Sequence, residues 1–198
     1  MRKVDVITGT MAPLDRGNVD TDQIMPKQFL KRIERSGFGP FTFFDWRKDP
    51  EFVLNRPEYQ GARVLVTGPN FGSGSSREHA PWGLQDAGFD AIIAPSFADI
   101  FRNNSAKIGL LCVELPAPAV RALLDVALSD PATLCHINLQ AQTVEAGGVR
   151  ERFDIDPFLK HRLLNGLDDI GLTLQHADAV AAYESRRPDV FPTTTPVT

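Results

Sequence analysis

Three short apolar segments that alternate with two helix-like segments constrain the fold of this chain more than any other feature. The apolar segments span residues 63–67, 91–94 and 110–115 and are flanked by glycine, proline or charged residues. Segments 77–88 and 97–107, which separate them, have helical composition. A strand–helix–strand–helix–strand order predicts parallel pairing through right-handed crossovers. We therefore expect an α/β fold.

The segment before this unit predicts one further strand. Residues 3–10 alternate between apolar and polar side chains and run into glycine, which is typical of a strand. Residues 27–35 have some helical periodicity, but breakers follow at 36–40, so we expect a short helix beside a mobile loop. The aromatic run at 41–46 favours β-structure.

The segment after residue 116 predicts an extra hairpin and further helices. Alternating stretches on either side of Gly147 and Gly148 predict a hairpin over 134–155. Asp156 as N-cap and Pro157 at the first position indicate the start of a helix. Helices are expected over 118–128, 156–166 and 174–187.

The composition is globular and excludes several classes of function. The 198 residues include 21 basic and 25 acidic side chains, for a net charge of −4, and no basic stripe indicates nucleic-acid binding. The apolar runs are far shorter than the roughly 18 to 20 residues of a membrane span. The charged N-terminus lacks the apolar region of a signal peptide. We expect a cytoplasmic protein, with one domain over 1–187 and a flexible tail over 188–198.

The cysteines and histidines are too few and too scattered to predict a metal site. Cys112 and Cys135 form no Cys-x-x-Cys pair, and two cysteines cannot hold an iron–sulfur cluster or a structural zinc by themselves. No histidine has an i, i+4 partner; the four are His79, His136, His161 and His176. The sequence therefore predicts no metal site within this chain.

A glycine- and serine-rich segment, Gly-Ser-Gly-Ser-Ser-Arg-Glu-His at 72–79, lies between a predicted strand and a predicted helix. Glycine allows close backbone approach to a ligand, and a helix N-terminus favours an anion. Serine hydroxyls and the Arg77 guanidinium suit a carboxylate. The Walker and Rossmann glycine patterns are both absent. The alternative is a serine-rich helix cap beside a surface arginine.

A second polar cluster, Asn-Val-Asp-Thr-Asp, occupies residues 18–22. Alternating aspartates suggest calcium, but the positions where a calcium loop needs glycine and glutamate hold Met25 and Lys31. An Asx turn is the alternative interpretation.

Together these two clusters resemble the swivel domain of the aconitase superfamily, most closely the small subunits of bacterial 3-isopropylmalate dehydratase (isopropylmalate isomerase). The resemblance rests on residues 18–26, 68–80, 94–101 and 103–104. It implies a swivel-type β/β/α fold, a mixed sheet or partial barrel with surrounding helices.

In that family a [4Fe–4S] cluster is carried by the large subunit, and a catalytic serine is contributed by the small one. The resemblance therefore implies no cofactor in this chain, a cluster-bearing large subunit as partner, and a small hydroxy-dicarboxylic acid as substrate. The implied reaction interconverts 2-isopropylmalate and 3-isopropylmalate through 2-isopropylmaleate, a step of leucine biosynthesis. A homoaconitase or citraconate hydratase subunit, or a non-catalytic carboxylate-binding module, remains an alternative.

Carried over by position, the resemblance makes Ser75 the catalytic base and Asp22 an active-site aspartate, with Ser76 and Arg77 binding a substrate carboxylate. It also implies a substrate-selecting loop within 27–37, where the candidate residues are Phe29, Leu30, Lys31 and Arg32. The apolar residues suit an isopropyl group, whereas arginine suits an extra carboxylate. Lys31 and Arg32 are alternatively a solvated helix face.

Overall fold

A computed structural model describes residues 1–32 and 34–187, in which seven strands form one curled, mixed sheet. The strands are β1 (Val6–Leu14), β2 (Val64–Thr67), β3 (Ala91–Ala94), β4 (Leu111–Glu114), β5 (Leu134–Asn138), β6 (Thr143–Ala146) and β7 (Val149–Arg152). Their spatial order is β4-β3-β2-β1-β5-β6-β7. Strands β1 to β4 pair in parallel, and β5, β6 and β7 continue from β1 in antiparallel.

The helices are α1 (Thr21–Ile24), α2 (His79–Asp86), α3 (Asp99–Ile108), α4 (Ala117–Ser129), α5 (Pro157–Asn165), α6 (Asp169–Leu174) and α7 (Ala177–Glu184). Short 3-10 turns lie at Lys27–Phe29, Gly39–Phe41, Trp46–Lys48, Val53–Asn55 and Pro57–Tyr59. Within the described residues, none of these helices combines the length and apolar character needed to cross a membrane.

The predicted parallel unit of β2, α2, β3, α3 and β4 is confirmed. Every residue of its strands β2 and β3 is buried, because both faces of this part of the sheet are covered. Successive side chains of a strand point to opposite faces. Val64 and Val66 thus pack in one core with α4, whereas Leu65 packs in a second core with α2 and α3.

The C-terminal part departs from the predicted hairpin, because it forms the three strands β5, β6 and β7. The first predicted arm is divided by a turn, in which the Asn138 side chain accepts a hydrogen bond from the amide of Ala141. Gln142 completes this turn with a positive φ of 56°. The helix predicted at 174–187 is shorter and corresponds to α7, and α6, which precedes it, was not predicted. Residues 188–198 lie outside the described residues.

The aromatic run at 41–46 does not form a strand, so that prediction is wrong. Phe43 is fully buried and stacks on Trp46 at 5.4 Å between ring centroids. The rings pack with one another and with the second core. A series of turns allows this packing, whereas in a strand successive side chains would point to opposite faces. The short helix expected over 27–35 is one 3-10 turn, at Lys27–Phe29.

The loop after β2 is fixed to α3 at one glycine. Gly72 has a φ of +76°, and a Cβ atom there would lie 2.1 Å from Cγ of Phe101. Phe101 is itself buried, so its ring has no room to move away. Glycine is required at this position by both the backbone conformation and the close approach.

Replacing Leu123 by alanine should lower the free energy of unfolding by about 2–5 kcal/mol, because this fully buried side chain on α4 would leave a cavity. Leu128→Ala on the same helix is the control, since Leu128 is 48% exposed. Urea denaturation should show little change for the control. Equal losses for the two variants would contradict the described packing of α4.

Replacing Gly72 by alanine should cost roughly 1–3 kcal/mol more than replacing Gly61. Both glycines have nearly the same φ, +76° and +77°, but a Cβ on Gly61 would meet none of the described atoms within 4 Å. The comparison therefore separates the overlap with Phe101 from backbone strain. Matched unfolding free energies of the two variants would show that the loop is not packed against α3.

Candidate active site

The site lies where the loops that follow β1, β2 and β3 meet, at the carboxyl edge of the parallel strands. Backbone hydrogen bonds join the loops directly. The amide of Gly72 donates to the carbonyl of Val19 at 2.7 Å, and the amide of Thr21 donates to the carbonyl of Ser73 at 2.8 Å. The amide of Phe71 donates to the carbonyl of Ser96 at 3.1 Å. The two sequence clusters at 18–22 and 72–79 are thus one structural unit.

A capping box on α1 determines how the first cluster is presented. The Asp20 carboxylate accepts from the amide of Gln23 at 2.7 Å, and the Gln23 side chain accepts from the amide of Asp20 at 2.9 Å. Asp20 is therefore the aspartate with a local structural role. Asp22 lies in the first helical turn and is available for contacts with the second loop.

Arg77 joins the two clusters through its guanidinium. Its Nε donates to Ser75 Oγ at 3.0 Å, and its Nη1 pairs with Asp22 Oδ1. The Arg77 side chain is only 10% exposed, and none of the described side chains caps the N-terminus of α2. The alternative of a serine cap beside a surface arginine therefore does not describe this loop.

The two serines that precede Arg77 in the chain are open to solvent. Ser75 and Ser76 are both exposed. The carbonyl of Ser75 accepts from the amide of Arg77 at 2.9 Å and from Oγ1 of Thr21 at 3.0 Å. The structure thus brings together Ser75, Asp22 and Arg77, with Ser76 beside them in the chain.

His79 opens α2 and lies against two aromatic rings, with centroid distances of 5.3 Å to Phe38 and 4.8 Å to Trp82. Burial by these rings lowers the pKa of His79, because the charged imidazolium loses water. The neighbouring charge of Glu78 opposes this shift and that of Arg77 adds to it. His79 is therefore neutral near pH 7.

The four candidate residues of the substrate-selecting loop form two pairs: Phe29 and Leu30 are partly buried, and Lys31 and Arg32 are exposed. Phe29 stacks on Phe41 at 4.3 Å, and Leu30 is half-buried against the same core. Lys31 is exposed, and the Arg32 guanidinium lies over the rings of Phe38 and Phe41. In the described part of the chain, none of these four candidates forms a hydrogen bond with the serine and arginine of the second cluster.

Lys27, which sequence reasoning did not single out, connects the start of this loop to the site. Its Nζ lies 3.9 Å from Asp22 Oδ2. Thr21 was missed in the same way, although it lies inside the first motif, because a threonine between two aspartates carries no signal of its own.

The described residues contain no cluster of histidine, cysteine, aspartate or glutamate that could hold a metal ion. Cys112 is half-buried and Cys135 is buried, and burial raises the pKa of each thiol to about 12. Cys112 lies on β4 and Cys135 on β5, with β3, β2 and β1 between them in the sheet, whereas an iron–sulfur cluster needs several cysteine thiolates close together. These two residues therefore do not fit an iron–sulfur cluster.

Comparisons with known proteins agree with the resemblance. Residues 1–118 match the model of the aconitase C-terminal domain, and residues 169–197 match that of the C-terminal domain of the 3-isopropylmalate dehydratase small subunit. A 3-isopropylmalate dehydratase small subunit of Acidothermus cellulolyticus is 58% identical over 94% of this chain and 95% of the relative. One of Rubrobacter xylanophilus is 55% identical over 97% of this chain and 98% of the relative.

The fold has a counterpart among solved structures. The crystal structure of 3-isopropylmalate dehydratase from Methanocaldococcus jannaschii covers 90% of this chain and 99% of that chain, with a TM-score of 0.66 and 23% identity. This likeness confirms the predicted swivel-type fold. On the family model and the full-length relatives, the chain belongs to the family of 3-isopropylmalate dehydratase small subunits, in the aconitase superfamily.

Proposed function

We propose that this chain is the serine-bearing subunit of a hydro-lyase that interconverts 2-isopropylmalate and 3-isopropylmalate, a step of leucine biosynthesis in the cytoplasm. Relatives with the name 3-isopropylmalate dehydratase small subunit align over nearly their full lengths. The observation that carries the proposal is the Arg77 guanidinium, which bonds Ser75 and Asp22 together at an open edge of the sheet.

The reaction sets clear chemical demands on the site. Dehydration removes a proton from one carbon and the hydroxyl group from its neighbour, which yields 2-isopropylmaleate and water. Rehydration returns the hydroxyl and the proton with their positions exchanged. The site therefore needs a base for a carbon-bound proton and cationic groups for the substrate carboxylates.

Ser75 is the proposed base, which receives the carbon-bound proton on Oγ and returns it in the reverse direction. A neutral hydroxyl is a weak base, so its alkoxide form needs stabilisation. The Nε of Arg77 donates to Ser75 Oγ at 3.0 Å, and a hydrogen bond from a cation favours the charged form of its partner. Arg77 thus raises the fraction of Ser75 in the reactive form.

Arg77 and Ser76 are the proposed ligands of a substrate carboxylate. A guanidinium has five N–H donors, and Arg77 uses one on Ser75 and one on Asp22. Within the described part of the chain, Nη2 donates to no side chain or carbonyl, so it remains for the ligand. Asp22 then serves to hold the guanidinium at a fixed angle.

Substrate selection is proposed to reside in the loop over 27–37. Phe29 and Leu30 contribute the apolar surface that an isopropyl group requires, while Lys31 and Arg32 lie on its outer side. An added carboxylate in place of the isopropyl group would leave a charge against Phe29 and Leu30, which is costly.

The proposed partner is a large subunit that holds a [4Fe–4S] cluster, because the two cysteines of this chain are separated by three strands of the sheet and do not fit one. When bound, that cluster supplies a Lewis acid for the departing hydroxyl. Ser75 and Ser76 are exposed in this chain, so the large subunit also has to exclude water from them. The isolated chain is therefore expected to be inactive.

The chain should become active when it is mixed with a cluster-loaded 3-isopropylmalate dehydratase large subunit. Turnover is measured as the ultraviolet absorbance of the alkene after 3-isopropylmalate is added. Ser75→Ala should lower kcat by roughly 10²–10⁴-fold, because the base is lost. Ser129→Ala, which removes a hydroxyl from the far end of α4, is the matched control.

An inactive wild-type chain beside a competent large subunit would refute the isopropylmalate assignment, and citraconate and homocitrate-type substrates would be tried next. Full activity of Ser75→Ala would refute only the proposed role of Ser75 as the base, and the isopropylmalate assignment would stand. Binding of hydroxy-diacids without any turnover would instead indicate a carboxylate-binding module.

Arg77→Lys should raise KM at least about tenfold and also lower kcat, because lysine keeps the charge but loses the planar donors shared with Ser75 and Asp22. Arg56→Lys is the matched control, since Arg56 makes a long 3.9 Å ion pair with Glu51. Steady-state kinetics of the reconstituted enzyme separate the two parameters. Unchanged constants for Arg77→Lys would contradict the carboxylate-binding role.

A further inference from the structure

Thr21 is a buried polar residue whose hydroxyl is aimed at the candidate base. Its side chain opens α1 and the residue is 1% exposed. The Oγ1 atom donates to the carbonyl of Ser75 at 3.0 Å, and the amide of Thr21 donates to the carbonyl of Ser73 at 2.8 Å. Thr21 therefore holds the glycine-rich loop at two points, one of which is Ser75 itself.

The bond from Thr21 differs in kind from the other bond to the same carbonyl. The amide of Arg77 also donates to Ser75 O, at 2.9 Å, but Arg77 belongs to the same loop and moves with it. Thr21 lies 54 residues earlier in the chain, in α1. Its hydroxyl thus sets where the turn at 75–77 lies relative to α1 and Asp22.

Thr21 is buried at its end of the hydrogen bond to Ser75. Because Thr21 is shielded from solvent, water cannot easily take over the bond to Ser75. If the Thr21 hydroxyl is lost, the Ser75 carbonyl therefore keeps only its hydrogen bond from the Arg77 amide.

We propose that Thr21 is a positioning residue, which fixes the Ser75 backbone so that Oγ meets the carbon-bound proton. The inference rests on the proposed role of Ser75 as base. Thr21 acts through Ser75 and does not touch substrate. Small displacements of a reacting group cost rate steeply, whereas Arg77 keeps its own contact with Asp22. Loss of Thr21 should therefore reduce kcat more than it changes KM.

The test uses Thr21→Val, which has nearly the same shape but no donor, and Thr21→Ser, which keeps the donor. Both are assayed with the cluster-loaded large subunit beside the wild-type chain. Thr21→Val should lower kcat by about 10- to 100-fold with KM within about threefold, and Thr21→Ser should retain kcat within about threefold. A general loss of packing would not be rescued by serine.

A second measurement monitors the hydrogen bond between Thr21 and Ser75 in the absence of the large subunit. The carbonyl ¹³C resonance of Ser75 in the free full-length chain should shift in Thr21→Val and stay near the wild-type position in Thr21→Ser. Should Thr21→Val fail to fold, as judged by circular dichroism, Thr21→Cys replaces it. A thiol is a weaker donor than a hydroxyl, so the kcat of Thr21→Cys should fall below that of Thr21→Ser.

Three results would overturn the inference: wild-type kcat in Thr21→Val or Thr21→Cys, equal losses in Thr21→Ser and Thr21→Val, or a loss carried by KM alone. An inactive wild-type chain would instead refute the proposed function, and that outcome is visible before any variant is compared.

Discussion

The parallel pairing of β1 with β2 is the constraint on which the candidate site depends. The first half of β1 pairs with β5 and its second half pairs with β2. Both β1 and β2 therefore leave the sheet at the same edge, and the loops that follow them begin side by side. Backbone bonds from Gly72 to Val19 and from Thr21 to Ser73 then align the loops residue by residue. The side-chain contacts of Arg77 with Asp22 and of Thr21 with Ser75 follow from that alignment.

The Arg77 guanidinium couples these two loops electrostatically. A largely buried cation is costly unless it is paired and hydrogen-bonded, and Arg77 satisfies that demand with Asp22 and Ser75. The same contacts make the loop geometry depend on charge. Under the proposed function they prepare one half of a reaction centre, with the serines open toward the second subunit that completes it.

Sequence patterns predicted the fold well where burial alone decides structure. The apolar strands between 63 and 115 and the Asp156–Pro157 helix start agree with the structure. Prediction failed where packing in the tertiary structure or an unusual backbone conformation decides. The run at 41–46 turns because Phe43 and Trp46 stack within an aromatic cluster. The predicted hairpin became three strands because Gln142 adopts a positive φ that a glutamine does not predict.

The sequence by itself determined the α/β class, the two motifs and the residue types able to bind a carboxylate, since local composition and order carry that information. Tertiary structure alone decided that Arg77 bonds both Ser75 and Asp22, and that the Thr21 hydroxyl reaches Ser75. Asp22 and Arg77 are 55 residues apart in the chain. Their contact exists because β1 and β2 pair in parallel, and no local pattern in either motif specifies the ångström-scale distances that result.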